Sequence, residues 1–345
     1  MSPADLNRIL IGDARAMLGQ LPDSSVDCVV TSPPYFRLRN YQHDQQIGLE
    51  PSVDGWVDEL RLVARGLKRV LKPTGTFWLN LGDTYARHAR DGAPPKSLLL
   101  GPERLALALV ADGWVLRNKV IWSKPNPMPT SIRDRLSCTW EVVYCFAQAR
   151  SYFYDLDAIR IPHRSHGRSQ APRQPPRPAW RVPPGWRAPL TGSNNGLGAY
   201  KASGLPGHPL GKNPGDVWTI PTAAYRGAHH AVYPERLVER ILHVACPPIV
   251  CISCGQPWRR QRHRIIEGRA VSGAMRTDCG CGTSTTTPGV VLDPFIGAGT
   301  TAVVAERLHR HWLGIELNPD FAAQANARIK AARTLTTEQP EAAAA

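Results

Sequence analysis

Short apolar runs alternate with amphipathic stretches along the first part of the chain. Residues 7–11 and 26–31 are compact and apolar, as is typical of buried parallel strands, and residues 14–21 between them have helical spacing. A longer amphipathic stretch over residues 53–71 predicts a second helix, and residues 76–81 predict the strand that follows it. Strand, helix and strand in this order predict a mostly parallel sheet with helices on both faces.

The same alternation continues further along the chain. The remaining predicted elements are helices over 98–112 and 234–244, strands over 114–122 and 137–147, and a strand-helix-strand unit over 290–329. We therefore expect an α/β protein with a Rossmann-like, doubly wound sheet. The last residues, 333–345, are mostly polar and rich in alanine, and we expect them to be a disordered tail.

The middle of the chain has a different composition. From Ala158 to Gly215 there is no Asp or Glu, while arginine recurs among proline and glycine. The arginines are Arg160, Arg164, Arg168, Arg173, Arg177, Arg181 and Arg187. This composition favours an arm that becomes ordered on nucleic acid, with Trp180 and Trp186 as stacking groups, over a linker without a binding role.

The overall composition bounds the partners and the compartment. The net charge of +14 suits a polyanion such as DNA, although a role in solubility would leave the same charge. No stretch is long and apolar enough for a membrane span, and the N-terminus lacks a signal pattern, so we expect a cytoplasmic protein that makes no membrane contact. Eight cysteines favour metal ligands or free thiols over disulfides.

A glycine-rich turn near the C-terminus predicts a nucleotide-like cofactor. A buried strand ends at Asp293, and a turn and a helix follow. The turn residues that we expect at the cofactor are Pro294, Phe295, Gly297, Gly299, Thr300 and Thr301. The next strand ends at Glu316, placed to accept hydrogen bonds from ribose hydroxyls, with Asn318 beside it.

The details of this turn favour S-adenosylmethionine over a dinucleotide. The third glycine of the dinucleotide fingerprint is missing. Asp293 would repel a pyrophosphate, but its carboxylate suits the cationic aminoacyl end of the methyl donor.

The sequence Ser32-Pro33-Pro34-Tyr35 follows a buried strand directly, and two prolines cannot continue a central strand. The motif therefore lies in a loop at the carboxyl end of the sheet, where open α/β sheets bind ligands. An exocyclic amine is a poor nucleophile, and the Ser32 oxygen and the Pro33 carbonyl can hold its nitrogen while Tyr35 stacks on the base. An isolated match would be an ordinary Pro-Pro loop, but beside a cofactor turn we predict a catalytic motif.

Together these motifs resemble the amino-DNA methyltransferases, specifically the permuted β class that methylates cytosine N4 or adenine N6. The resemblance covers about residues 7–160 and 213–330. Besides Ser32 to Tyr35 and the glycine-rich turn, it rests on Gly12-Asp13, Leu71-Lys72-Pro73-x-Gly75, Trp122-Ser-Lys124-Pro125-Asn126-Pro127, Asn213-Pro-Gly-Asp216-Val-Trp218 and Tyr233-Pro234-Glu235-Arg236-Leu237.

The resemblance implies a fold and roles for these residues. It implies a circularly permuted, seven-stranded methyltransferase sheet with one antiparallel strand, and a chain that dimerises as family members commonly do. It places the methionine part of the donor among Asp293, Phe295, Gly297, Gly299 and Thr300, its ribose at Glu316, and its adenine amine near Asp13. Ser rather than Asp before Pro33 is typical of enzymes that methylate cytosine N4. A restriction endonuclease would be the natural partner of such an enzyme.

Two pairs of cysteines predict a structural zinc site. Cys251-x-x-Cys254 and Cys279-x-Cys281 have the spacing of thiolate ligands, and adjacent glycines allow tight turns. Cys246, His243 and His263 are further candidates, whereas Cys28, Cys138 and Cys145 lie in apolar stretches predicted as core. We expect a small zinc-ribbon-like insertion over 246–287.

The predicted organisation has five parts. The catalytic half of the methyltransferase domain covers 1–154, an irregular target-recognition region covers 155–228, and the cofactor half covers 229–245 and 288–332; the insertion and the tail complete the chain. Adenine-N6 methylation, an RNA or protein-glutamine substrate, and a DNA-binding protein without catalysis stay open as alternatives. A cytosine-C5 mechanism is excluded because the chain has no Pro-Cys pair.

Overall fold

Eight strands form one central sheet in the computed structural model, which describes residues 3–41, 43–162, 208–223, 232–266 and 269–337. In chain order the strands are β1 (Arg8–Ile11), β2 (Val26–Thr31), β3 (Leu71–Leu81), β4 (Val115–Ser123), β5 (Trp140–Ala147), β6 (Val217–Thr219), β7 (Val250–Cys251), β8 (Arg259–Arg260), β9 (Arg264–Ile266), β10 (Arg269–Val271), β11 (Met275–Arg276), β12 (Thr286–Thr287), β13 (Val290–Asp293) and β14 (His311–Glu316). Strands β7 to β12 lie outside the central sheet and form three two-stranded pairs.

The order of strands in the central sheet is β1-β14-β13-β2-β3-β5-β4-β6. Only β5 runs antiparallel to its neighbours, and the other described pairs are parallel, as predicted. The predicted count of seven strands is wrong, because β6 adds an eighth at the edge beside β4. Its central Trp218 is 2% exposed and stacks on Trp78 with ring centroids 6.2 Å apart, so this short strand is held by a buried aromatic pair.

Six α-helices cover the sheet in the described part of the chain. They are α1 (Ala14–Gln20), α2 (Val53–Val70), α3 (Gly101–Ala111), α4 (Glu235–Ala245), α5 (Thr300–Arg307) and α6 (Pro319–Thr337). The first three pack together on one face, around a core that includes Trp56 and Leu67, and the last three pack on the other face with Leu242 and Val304. This is a three-layer, doubly wound arrangement.

Local chemistry explains where the longest of the first three helices begins and ends. The Ser52 hydroxyl accepts a hydrogen bond from the Gly55 amide and caps the N-terminus of α2. Asp54 lies in its first turn and Lys68 and Arg69 in its last, which suits the helix dipole. The buried face of α2 then presents Trp56 and its helical neighbours to the sheet.

Two expectations from the sequence differ from the structure, and a third falls on residues that the structure does not describe. Cys138 is exposed and precedes β5, so its assignment to the core is wrong, while Cys28 and Cys145 are buried. Helix α6 continues to Thr337, into the segment expected to be a disordered tail. The arm with Trp180 and Trp186 lies outside the described residues. Within the described residues, no helix combines the length and apolarity needed to cross a membrane.

Candidate functional site

A cavity of about 400 Å³ opens at the carboxyl ends of the parallel strands. One wall is the loop after β2, with Ser32, Pro33, Pro34 and Tyr35. The opposite wall is the loop after β13 together with the end of β14. Its predicted cofactor residues are Pro294, Phe295, Gly297, Thr300, Glu316 and Asn318. The structure therefore brings the two motifs, about 260 residues apart in the sequence, to one site.

The loop from Ser32 to Tyr35, which was predicted to be catalytic, is held from behind. The Trp56 indole donates a 2.9 Å hydrogen bond to the Pro34 carbonyl, and Trp56 itself is 1% exposed on helix α2. The rings of Pro33 and Pro34 restrict the backbone that leads to this contact. The side chains of Ser32 and Tyr35 are thus presented to the cavity from a fixed loop.

A network of polar side chains surrounds Tyr35. Its hydroxyl donates to Oε2 of Glu141 at 2.6 Å and lies 3.2 Å from Oγ of Ser32. The amide of Asn80 donates to the same Glu141 oxygen at 3.1 Å, and Lys124 forms an ion pair with Oε1. Burial, and then the neighbouring Glu141 carboxylate, raise the pKa of Tyr35 well above its usual range, so its hydroxyl stays protonated.

The glycine-rich turn is shaped by backbone conformations that favour glycine. Gly297 has φ of +48° and Gly299 has φ of +79°, and a Cβ at Gly299 would lie 3.2 Å from the Cβ of Ala325. Both carboxylate oxygens of Glu316 accept backbone hydrogen bonds at 3.0 Å, one from Gly297 and one from Asn318. Burial raises the pKa of Glu316, although these hydrogen bonds oppose the shift.

Asp293, predicted to lie beside the cofactor, lies behind the cavity wall. Its carboxylate is 1% exposed and accepts hydrogen bonds from the hydroxyls of Thr31, Tyr233 and Thr301 and from the Phe295 amide. These donors leave no open side of the carboxylate toward a cationic ligand. Thr301 and Gly299 also lie behind the wall and do not line the cavity.

Asp13 lies at the rim of the cavity, where it caps helix α1. One oxygen accepts from the backbone amides of Arg15 and Ala16, and the Arg15 guanidinium contacts both oxygens. Although partial burial opposes it, the hydrogen bond and charge of Arg15 leave the pKa of Asp13 below its usual value. The carboxylate is thus ionised and fixed.

Several cavity residues were not predicted from the sequence. Glu141, Asn80 and Lys124 come from strands or strand ends whose composition is that of ordinary core or surface. Tyr41 and Phe321 face each other edge-on, with ring centroids 6.4 Å apart, on the cofactor side. The one signal in the sequence for these residues was the motif from Trp122 to Pro127, which contains Lys124 and belongs to the family pattern.

The four predicted cysteine ligands lie together. The Sγ atoms of Cys251, Cys254, Cys279 and Cys281 are all within 4.8 Å of one another, whereas Cys246 is buried in the core. Tetrahedral thiolates around zinc lie about 3.8 Å apart, given Zn–S bonds of about 2.3 Å. The donor set and its spacing therefore fit a zinc ion.

This cluster lies at the end of the sheet opposite to the cavity. Its strands β7 and β12 pair with each other just before β13 begins at Val290, at the amino ends of the parallel strands. Arg260 attaches the insertion to the main domain through a bidentate contact with the buried carboxylate of Asp155. The geometry gives the cluster no direct part in chemistry at the cavity.

A doubly wound sheet with a glycine-rich turn and a polar Pro-Pro loop around one cavity is the arrangement in which α/β enzymes hold a nucleotide-like cofactor beside a substrate. The model for the N6/N4 DNA methylase family matches residues 26–327. The chain therefore belongs to this family of DNA methyltransferases.

Relatives and solved structures extend the likeness over almost the whole chain. The chain is 31% identical to the type II methyltransferase M.SmaI of Serratia marcescens, over 93% of this chain and 90% of the relative. It is 29% identical to M.SfiI of Streptomyces fimbriatus, over 91% and 88% of the two chains. The PvuII cytosine-N4-specific DNA methyltransferase shares the fold, with a TM-score of 0.56 and 18% identity over 96% and 92% of the chains.

A fourth protein shares the fold and was solved with S-adenosylmethionine. This candidate DNA modification methylase of Thermus thermophilus has a TM-score of 0.51 and 23% identity, over 94% of this chain and 95% of the other. At these identities the two structures establish the common architecture of the sheet and its helices.

Proposed function

We propose that this chain transfers the methyl group of S-adenosylmethionine to the exocyclic N4 of a cytosine flipped out of double-stranded DNA. The observation that carries the proposal is the shared cavity, in which Ser32 and Tyr35 face the glycine-rich turn and Glu316. A methyl donor and an acceptor base must be adjacent for direct transfer, and one continuous cavity meets that requirement.

The cofactor wall fits the proposed donor. Glu316 is an acceptor fixed by two backbone amides at the position expected for ribose hydroxyls. Positive φ at Gly297 lets the backbone approach a ligand closely, and Tyr41 and Phe321 supply aromatic surface for an adenine ring. Because the carboxylate of Asp293 is enclosed, we propose that it supports this turn and that other groups hold the aminoacyl end. When bound, S-adenosylmethionine supplies an electrophilic methyl group on a sulfonium.

The residues of the loop after β2 would hold the acceptor amine. The Ser32 hydroxyl and the Pro33 carbonyl are oxygens in reach of a base in the cavity, and Trp56 already occupies the neighbouring Pro34 carbonyl. Two acceptors would draw the amine N–H bonds away from the ring plane and free its lone pair for attack. Tyr35 provides a face for the flipped base.

Ser32 supports cytosine over adenine as the target. A serine at the first motif position is typical of the cytosine-N4 branch of the family, and the PvuII enzyme with the same fold is specific for cytosine N4. The likeness to that enzyme carries the fold rather than the base, so the assignment rests on Ser32.

Nucleoside mass spectrometry tests the proposal directly. We expect N4-methylcytosine in DNA from a methylation-free host that expresses this protein, and none with Ser32→Ala, which should still bind the donor. N6-methyladenine instead would overturn the base assignment and keep the family. If neither N4-methylcytosine nor N6-methyladenine is found while donor binding is intact, DNA is the wrong substrate. Unchanged turnover by Ser32→Ala would remove Ser32 from the mechanism.

We also propose that the duplex binds across the mouth of the cavity. The loop between β4 and β5 lies at this mouth and exposes large apolar side chains, with Met128 86% and Leu136 90% exposed. Arg133 and Arg135 in the same loop add positive charge beside the phosphates of such a duplex. Binding to DNA in this way would associate the protein with the nucleoid.

The order of motifs supports a permuted methyltransferase. The catalytic loop at Ser32 precedes the glycine-rich turn at Gly297 along the chain, with the basic region between them.

We propose a partnership with a restriction endonuclease, supported by the type II names of the relatives M.SmaI and M.SfiI. A homodimer is the assembly that the family resemblance suggests.

The cysteine cluster supports a structural zinc ion as a second cofactor. Four thiol groups within 4.8 Å form a closed ligand set, which leaves no open position for substrate. We propose that Cys251, Cys254, Cys279 and Cys281 hold this ion and stabilise a zinc-ribbon-like insertion, in which β7 and β12 bring the two cysteine pairs together.

A further inference from the structure

The proton of the Tyr35 hydroxyl has three candidate partners. The hydroxyl oxygen lies 2.6 Å from Oε2 of Glu141, 3.3 Å from Oδ1 of Asn80 and 3.2 Å from Oγ of Ser32. A tyrosine hydroxyl has one proton to donate. Of the three candidates, the Glu141 carboxylate is the strongest acceptor, because it is charged and lies nearest to the hydroxyl. The proton therefore lies toward Glu141, and Ser32 must be the donor in its contact with Tyr35.

This assignment fixes the direction of the Ser32 hydroxyl. Tyr35 is the hydrogen-bond partner of Ser32 Oγ among the residues that the structure describes. A serine hydroxyl has one proton and two lone pairs. With the proton directed to Tyr35, the lone pairs are left to accept hydrogen bonds from a group in the cavity. An amino group of a base is such a donor, whereas a hydroxyl proton in the cavity would oppose it.

From this geometry we propose that Glu141 is a positioning residue for methyl transfer. By accepting the Tyr35 proton, its carboxylate directs the Ser32 proton toward Tyr35 and keeps Ser32 as an acceptor for the target amine. The inference rests on the proposed function, since it assigns the support for the serine that holds the base.

The surroundings of Glu141 keep its carboxylate in place. Lys124 pairs with Oε1, and the Asn80 amide donates to Oε2 at 3.1 Å and also to the Val142 carbonyl at 3.2 Å. The side chains of Lys124 and Glu141 are only 18% and 15% exposed, so water competes weakly for these contacts. Burial also raises the pKa of Tyr35, which keeps its proton available for donation.

The alternative is that Glu141 only stabilises the sheet through Lys124, because β4 and β5 are neighbouring strands. Glu141→Gln separates the two roles. A glutamine amide can donate to the Tyr35 oxygen, and the Tyr35 proton would then turn toward its nearest remaining acceptor, Ser32 Oγ at 3.2 Å, ahead of Asn80 Oδ1 at 3.3 Å. The Ser32 proton would then point into the cavity. We expect kcat to fall about 10- to 100-fold, with the Kd for S-adenosylmethionine changed by no more than about twofold.

Two double-mutant cycles give the decisive measurement. Glu141→Gln should lower kcat little further when Tyr35→Phe or Ser32→Ala is already present, because its effect on kcat passes through both hydroxyls. The Tyr35→Phe cycle remains measurable if Ser32→Ala is too slow to follow. Glu239→Gln, which alters a peripheral carboxylate near Arg307, is the matched control and should leave kcat unchanged.

The outcomes separate this inference from the proposed function. Additive losses in both cycles, or a loss that follows the melting temperature alone, would show a structural role and overturn the inference. A wild-type protein that methylates DNA at cytosine N4 with unchanged kcat in Glu141→Gln would overturn it as well. If the wild-type protein methylates neither cytosine nor adenine, the proposed function itself fails, and no variant of Glu141 is needed to show it.

Discussion

The hydroxyl of Thr31 donates a 2.6 Å hydrogen bond to Oδ1 of Asp293. Thr31 is the last residue of β2 and Asp293 is the last residue of β13, and these strands are neighbours in the sheet. The bond therefore joins the start of the proposed catalytic loop to the start of the glycine-rich turn. Because it is buried, it fixes the distance between the two walls of the cavity.

Asp293→Ala is predicted to change the free energy of unfolding more than the affinity for S-adenosylmethionine. The substitution would leave the hydroxyls of Thr31, Tyr233 and Thr301 without their shared acceptor. We expect the free energy of unfolding to fall by about 2–4 kcal/mol, measured by urea denaturation. A large rise in the donor Kd with unchanged unfolding would instead support a direct contact of Asp293 with the donor.

Donor affinity is predicted to depend on pH through Glu316. Its carboxylate must be ionised to accept hydrogen bonds from two ribose hydroxyls, and burial raises its pKa. Affinity for S-adenosylmethionine should therefore fall as the pH decreases through this raised pKa, at a higher pH than for an ordinary glutamate. Calorimetry of Glu316→Gln should give weaker binding, by about tenfold, without this pH dependence. The same pH profile in wild type and variant would assign the effect to another group.

The sequence predicted those parts of the molecule that depend on local patterns. Compact apolar runs and helical spacing indicated the strands and helices, and Pro33-Pro34 and Gly297 marked the two loops. The strand β6 was missed because three residues have no periodicity, and its stability comes from the distant Trp78.

The contacts that organise the site could not be predicted in the same way. Glu141 lies in an apolar strand, and only the pairing of β5 with β4 and with β3 brings it to Lys124 and Asn80. Asp293 was expected to face the ligand because it directly precedes the glycine-rich turn. The hydroxyls that enclose it come from Thr31 and Tyr233, which are remote in sequence, so their arrangement depends on the completed fold.

Binding to DNA is predicted to weaken steeply with salt, in part through the arginine-rich segment. Each phosphate contact that is lost should make the slope of log K against log salt shallower by about 0.9. We expect replacement of Arg164, Arg168 and Arg173 by glutamine to reduce the slope by up to about 3 in fluorescence anisotropy titrations. The control replaces Arg8, Arg65 and Arg307, which the structure places on exposed parts of the domain. Equal slopes for the two triple variants would remove the segment from the DNA interface.

Zinc removal is predicted to destabilise the protein without a direct effect on catalysis. Metal analysis should find nearly one zinc per chain in the wild-type protein and much less in Cys279→Ser. The cluster lies at the amino ends of the parallel strands, so methylation should persist at a temperature where the variant stays folded. The melting temperature should fall by about 3 °C, since a loss of about 2 kcal/mol shifts Tm by about 1.4 °C per kcal/mol when the entropy of unfolding is about 2.1 cal/mol/K per residue over 345 residues.

Cys138→Ser is the matched control for the zinc measurement. Cys138 is an exposed free thiol outside the cluster, so its replacement should change neither the zinc content nor the melting temperature. An absence of zinc from the wild-type protein, purified without chelator, would contradict the metal site while leaving the methyltransferase site untouched. Loss of methylation by folded Cys279→Ser would contradict the separation of the two ends of the sheet. That result would mean that the insertion acts on the cavity through Arg260 and Asp155, the contact that joins it to the domain.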